Sequence, residues 1–186
     1  WPWFAGTLGR MEARYGNYFI LGNHDLFVDV DETIRRLCDL GWHYAGGQSL
    51  QRTIRGVEVA ISGNELPWRP APSITPIRVD PNRAANAPTA TAGPRLHVAL
   101  LHTPDQWPWS VAHQVHLALA GHTHGGQICF PGIGPLASPS IYGTRYACGV
   151  FRRSDTVMHV SRGLAGMTPV RWNCPPELAV LELVPA

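Results

Sequence analysis

Lysine is missing altogether: all fifteen basic residues are arginine, against thirteen acidic ones, which leaves a formal charge of +2. A balance this close to neutral, with no run of five or more like charges, indicates neither a nucleic-acid-binding stripe nor a polybasic membrane anchor. The arginine-only, proline-rich and alanine-rich usage reads as the bias of a GC-rich genome and carries no mechanism. Cysteine is scarce. The four present, Cys38, Cys129, Cys148 and Cys174, are widely spaced and form no C-x-x-C pair, which argues against a zinc ribbon or redox dithiol and for ordinary free thiols. No apolar stretch reaches the roughly 18 to 20 residues of a membrane span, and no charged leader precedes an apolar segment. Aspartate is absent from residues 1–22, and residue 1 is Trp rather than Met, so further sequence is expected upstream.

What is present suffices for one domain over 1–186, with 45% hydrophobic residues to build a core. Residues 17–21 (NYFIL) form a short apolar run halted by Gly22, as a buried strand feeding a loop would. From Asp31 the sequence predicts a helix, with Asp31 as N-cap, apolar Ile34, Leu37 and Cys38 at helical spacing, and Gly41 as the stop. Residues 49–62 alternate on both sides of Arg55-Gly56, a β-hairpin pattern. Residues 67–95, rich in Pro, Ala, Thr and Asn, read as a long surface loop or insertion. Residues 96–101 (LHVALL) and 116–120 (HLALA) have strand length and flank a segment able to hold a short helix, an alternation typical of layered α/β folds. Strands are expected further on at 127–130, 147–152, 157–161 and 178–184.

Three polar signals follow three of these apolar runs: Gly22-Asn23-His24-Asp25, then His102, then Gly121-His122-Thr123-His124-Gly125-Gly126-Gln127. Strand ends are where α/β folds gather binding groups, so residues about 80 and 20 positions apart can converge. Three imidazoles and an amide oxygen, all neutral, suit a borderline transition metal. In an extended segment His122 and His124 would project to one side roughly 7 Å apart, able to serve different ions of a pair about 3.5 to 4 Å apart. His24, next to Asn23, is placed to act beside the metals as a proton donor, with Asp25 orienting its ring.

GNHD, then H-x-P-D, then GHTHGGQ resemble the motifs of the calcineurin-like metallophosphoesterases, in particular a bacterial branch whose last motif extends to GGQ and whose C-terminal part runs through Ser161-Arg162-Gly163 to Pro175-Pro176-Glu177. The resemblance covers nearly the whole chain outside the Pro/Ala-rich insertion. It implies an α/β (α+β) fold, the four-layer α/β/β/α sandwich of metallo-dependent phosphatases with its N-terminal strands missing. It implies a phosphoester or pyrophosphate hydrolase with two divalent ions (Mn, Fe, Zn or Co), a metal-bound hydroxide as nucleophile and His24 as general acid. Asn23, His102 and His122 would ligate one metal and His124 the other. The substrate implied by kinship is a phosphorylated small molecule or a lipid-linked nucleotide such as UDP-diacylglucosamine, handled in the cytoplasm or at the periphery of the inner membrane.

The sequence also departs from that family. An upstream D-x-H motif and a G-D-x-x-D motif, which supply three ligands including the bridging carboxylate, do not occur here. Three neutral ligands can hold one cation weakly, but two adjacent dications without a bridge repel. The chain by itself is therefore expected to be inactive or nearly so, and a non-catalytic truncated metal-binding or interaction module stands as the alternative. Gly126 and Gln127 are open between substrate contact and loop geometry, and Arg145 and Arg162 between phosphate contact and surface ion pairs. His43, His97, His113, His116 and His159 read as structural. Trp107 and Trp109 read as packing the loop onto the sheet rather than as a rim for lipid.

Overall fold

In a computed structural model, residues 3–74 and 96–184 are described; residues 75–95, most of the expected insertion, lie outside that range. A short helix α1 (Trp3–Gly6) leads to β1 (Asn17–Phe19), α2 (Val30–Asp39) and β2 (Trp42–Tyr44). Next come β3 (Ser49–Ile54), β4 (Val57–Asn64), β5 (Leu96–Leu101), α3 (Trp107–Ala112) and β6 (Leu117–Ala120). The remaining strands are β7 (Cys129–Phe130), β8 (Gly134–Pro135), β9 (Gly149–Arg153) and β10 (Thr156–Val160).

Six strands form one mixed sheet in the order β3-β4-β5-β6-β10-β9, in which β4, β5, β6 and β10 are parallel neighbours. β1 and β2 pair in parallel as a separate two-stranded sheet. Strands β3 and β4 are the expected hairpin, in register Ile54↔Val57, and both turn residues, Arg55 (φ 51°) and Gly56 (φ 79°), take the left-handed backbone that a two-residue hairpin loop demands.

Alternation in β5 sorts its side chains between two layers. His97, Ala99 and Leu101 are buried towards α3, where Trp107, Val115, Ala118, Ala120, Met158 and Val160 complete one core. Leu96, Val98 and Leu100 face the other way into an apolar groove of about 430 Å³ shared with Ile61, Leu119, Tyr18 of β1 and Leu183. A second core, of Phe4, Phe19, Leu21 and Leu37, packs α1 and α2 on the outer face of the β1–β2 pair. The layer order is thus helix, small sheet, large sheet, helix: the expected α/β sandwich, with the first sheet represented by two short strands.

Two details depart from expectation. The N-cap of α2 is Asp29, whose carboxylate accepts from Glu32 N at 2.9 Å; Asp31 lies inside the first turn, where its charge favours the helix dipole instead. Residues 178–184 form no strand: Leu178, Val180 and Val184 are exposed, and no strand edge hydrogen-bonds to them among the described residues. Alternating apolar residues make a strand only where a partner edge is available to take their backbone groups. Among the described residues no helix is long and apolar enough to cross a membrane.

Candidate metal centre

Strands β1, β5 and β6 end on the same side of the molecule, and the polar residues that follow them meet there. After β1 the chain turns through Asn23–Phe27 in a 3-10 helix. The turn is closed by Asp25, whose carboxylate accepts from Gly22 N at 2.7 Å. Asp25 therefore fixes the backbone of the loop, and no hydrogen bond from it to the His24 ring is present among the described residues. The loop lies close against β5: a Cβ on Gly22 would collide with the His102 ring, its nearest atoms including Nδ1 at 2.7 Å, so only glycine lets the two approach.

That approach brings Asn23 Oδ1 to 2.9 Å from His102 Nε2, and Asn23 N to 3.4 Å from the same nitrogen. His122 stacks beside His102 with ring centroids 4.6 Å apart. His24 is exposed at the rim, 6.1 Å from the Phe27 ring, near enough that its charge would weigh on His102, His122 and His124. The structure thus brings Asn23, His24, His102, His122 and His124 into one neighbourhood.

The segment carrying the last two histidines is not extended. His122 (φ 69°), His124 (φ 51°), Gly125 (φ 66°), Gly126 (φ 77°) and Gln127 (φ 54°) all take left-handed backbone, so the 7 Å same-side spacing of a strand does not apply. Three non-glycine residues in that region within six positions is a concentration of strain of the kind that functional loops store. Contacts on every side compensate for it. A Cβ on Gly125 would stand 2.5 Å from Arg162 Cγ and 2.6 Å from Cys174 Sγ. Thr123 donates to Ala147 O at 2.7 Å, and Cys129 Sγ donates to Gly125 O at 3.3 Å.

Gln127 is almost fully committed to this bracing. Its amide nitrogen donates to Thr168 O and Val170 O, both at 3.0 Å, and its oxygen accepts from Met167 N at 2.7 Å. A Cβ on Gly126 would collide with Pro135, and stand 2.7 Å from Ala137 O. Both residues shape the loop through these contacts.

Electrostatics keep the imidazoles neutral. Burial, and then the neighbouring His122, His124 and His24, push His102 down to about 4. Burial likewise lowers His122 and His124 below the ordinary histidine value. His124 Nδ1 lies 3.0 Å from Ala165 O, and the Pro139 carbonyl favours the protonated form of His122 against the effect of burial. A ring nitrogen anchored on a backbone carbonyl leaves the other with a free lone pair, the arrangement typical of histidines that ligate metals.

These donors fit one borderline cation held by neutral nitrogen and amide oxygen. They do not make a bridged pair, and among the described residues no group of three or more His, Cys, Asp or Glu is arranged to hold a metal ion. The carboxylates near the site are engaged elsewhere, Asp25 on Gly22 and Asp105 on Ser140 Oγ at 2.6 Å.

Two residues of this neighbourhood carry no motif. The Trp68 ring packs edge-on against both imidazoles, with centroids 4.9 Å from His102 and 5.3 Å from His122. Glu65, buried at the end of β4, accepts from Leu21 N at 2.6 Å. The one available signal was a lone acid after an apolar strand, too common to single out.

The remaining residues fall where structural readings put them. His97 pairs with Ser62 Oγ at 2.8 Å, His113 with Trp109 O at 2.8 Å, and His159 lies 3.5 Å from Glu177. Trp107 is buried in the core under β10, and Arg162 is ion-paired with Glu177 at 2.7 Å. Arg145 lies over the Tyr146 ring, 5.2 Å from its centroid.

No model of a known protein family and no solved structure matches the chain. Curated relatives do. An uncharacterized metallophosphoesterase, YkuE of Bacillus subtilis (strain 168), is 42% identical over 180 residues, covering 95% of this chain and 59% of the relative. The phosphodiesterase YaeI of Escherichia coli (strain K12) is 36% identical over 91 residues, 49% of this chain and 33% of the relative. A transmembrane protein with metallophosphoesterase domain from Danio rerio is 28% identical over 167 residues, 86% of this chain and 36% of the relative. The chain thus spans less than two thirds of the length of these relatives. The 42% identity with YkuE over 95% of this chain, together with relatives that share the name metallophosphoesterase, supports its place in the calcineurin-like metallophosphoesterase family.

Proposed function

We propose that this chain is the proton-donor and neutral-ligand part of a metal-dependent hydrolase of phosphoesters or pyrophosphates, and that catalysis requires carboxylate ligands which its own sequence does not contain. The observation that carries the reading is the meeting of Asn23 Oδ1 with His102 Nε2 at 2.9 Å, beside the His122 ring, whose centroid lies 4.6 Å from that of His102. Asn23, His102 and His122 would hold one divalent ion (Mn, Fe, Zn or Co), and His124 would belong to a second. Such ions lower the pKa of bound water and neutralise charge developing on the phosphoryl oxygens.

The chain's own residues supply the rest. His24 stands at the exposed rim, free of the anchoring that commits the other imidazoles, so it can present a proton to a departing alkoxide and recover it from solvent. General acid catalysis of this kind contributes about 100-fold to 10,000-fold. Trp68 covers one side of the paired imidazoles. The substrate class we favour is a phosphorylated small molecule or lipid-linked nucleotide, with phosphodiesterase named among the relatives.

The test uses the reading frame extended upstream of Trp1 and bis(p-nitrophenyl) phosphate with Mn²⁺. The extended protein should turn the ester over, and His24→Gln should remove at least about 100-fold of kcat while leaving bound metal unchanged. The 186-residue chain alone should show no metal-dependent turnover. Full activity in the chain alone, or an upstream sequence without D-x-H and G-D-x-x-D, would sink the proposal.

A further inference from the structure

Glu65 stands where the two sheets meet. It is 1% exposed, at the end of β4 in the large sheet, and every bond its carboxylate makes reaches outward. Oε1 accepts from Leu21 N at 2.6 Å, in the residue between β1 and the Gly22-Asn23-His24-Asp25 loop. Oε2 accepts from the Tyr44 hydroxyl, at the end of β2, at 2.7 Å. The same oxygen lies 3.1 Å from Arg69 Nε, one helical turn further on. Both strands of the small sheet are therefore tied to one carboxylate of the large sheet at the level where the loop departs.

The same residue also sets Trp68. The backbone nitrogens of Trp68 and Arg69 both donate to Glu65 O, at 3.1 and 3.2 Å, and the Arg69 side chain closes the turn on the Glu65 carboxylate. Trp68, held between them, meets the His102 and His122 rings. The fit is tight: a Cβ on Gly46 would collide with both Tyr44 Oη and Glu65 Oε1. A buried carboxylate is costly unless its lone pairs are occupied, and here three donors occupy them. Burial, followed by the bond to Glu65, raises the Tyr44 hydroxyl above its ordinary value and keeps it a donor.

We propose that Glu65 is a positioning residue: its carboxylate joins the small sheet to the large one so that Asn23 meets His102 and Trp68 stays against the His102–His122 pair. The inference rests on the metal-centre reading given above. It separates Glu65 from a mere stabiliser by what it predicts for the geometry of the donors.

The experiment titrates the 186-residue chain with Co²⁺, following the ligand-field bands, and records the imidazole ¹⁵N resonances of the metal-free protein. Glu65→Gln keeps the size and one acceptor oxygen but sets an amide against Tyr44 and Arg69. It should weaken Co²⁺ binding about tenfold or more, as loss of an outer support does at metal sites, and shift the His102 Nε2 resonance. Tyr44→Phe should give a smaller loss in the same direction. In an Asn23→Ala background Glu65→Gln should cost little further, because the two act through one contact. Leu37→Ala, which loosens the same small sheet from its outer face, should lower the melting temperature yet leave Co²⁺ affinity unchanged well below it.

Wild-type affinity in Glu65→Gln, or an undiminished loss in the Asn23→Ala background, overturns the proposal. If the wild type binds no Co²⁺, the metal-centre reading fails by itself. The ¹⁵N comparison then decides the positioning role, which survives if His102 Nε2 shifts in Glu65→Gln and falls if it does not.

Discussion

The two sheets hold their share of the site by opposite means. The large sheet carries His102, His122 and His124 on strands bonded on both edges, above a core that includes Met158 and Val160 at zero exposure. The small sheet carries Asn23 and His24 on a three-residue strand paired with one other. A two-stranded ribbon is marginal by itself. Its loop is nevertheless placed within hydrogen-bonding distance of His102, by two carboxylates, Asp25 from within and Glu65 from across the sheet boundary. Extensive pairing fixes one half; a few charged bolts fix the other.

The largest effect that sharpens this contrast is a cavity in the large sheet. Met158→Ala, on a strand flanked by β6 and β9, should cost about 2 to 5 kcal/mol and lower the denaturant midpoint of the whole chain. Leu37→Ala removes similar bulk beneath the small sheet. Hydrogen exchange should then rise in β1, β2 and α2 while β5 and β6 stay protected. If both variants open both sheets equally, the division into two independently held halves is wrong.

Acid should act on the large sheet first. His97, buried between Ser62 and His116 with no hydrogen-bond partner for its Nδ1 among the described residues, is pushed down to about 4, chiefly by burial and then by His116 and His113. Because its folded value lies below the ordinary 6.5, the folded chain binds fewer protons than the unfolded chain between those values. Stability is therefore complete above about 6.5 and declines as pH falls towards 4, by up to about 3 kcal/mol from this group. His97→Gln should flatten thermal stability against pH in that window.

A smaller effect belongs to the loop that follows β6. Gln127→Ala strips three bonds from the 167–170 segment and should cost about 2 kcal/mol, with exchange rising there and at His124, whose ring rests on Ala165. A change confined to the side of β1 would mean that the two loops are coupled more strongly than the separate bracing implies.

How far these arrangements could be read in advance depended on whether the signal was local. The Arg55-Gly56 hairpin, α2 and the apolar strands β5 and β6 are each specified by neighbours in sequence, through turn chemistry or periodicity, and stand where expected. The motif residues gather at three strand ends for the same reason. Long-range partners were not readable. Glu65 and Trp68 matter because of partners distant in sequence: Leu21, 44 residues away across the sheet boundary, and His102, 34 residues away at the end of the neighbouring strand. Residues 178–184 have the alternation of a strand and lack an edge to join, a condition that alternation cannot report. The left-handed backbone at His122 and His124 is imposed by the packing of the loop and has no signature in the strand that precedes it.

The smallest effect expected is on the residue proposed as the proton donor. His24 is exposed, its ring centroid lies 6.1 Å from that of Phe27, and it sits on a loop whose shape is set by Asp25 and Gly22. His24→Gln should change stability by no more than about 0.5 kcal/mol, the range of surface substitutions, as measured by thermal unfolding of the 186-residue chain. Asp25→Asn, by contrast, replaces the oxygen that caps Gly22 and should loosen the loop by roughly 1 kcal/mol. The pair separates two reasons for a polar residue in the same motif, one holding the backbone in place and the other left unencumbered so that its ring can give up a proton. Equal destabilisation by both substitutions would place His24 among the bolts of the small sheet and take it away from proton transfer.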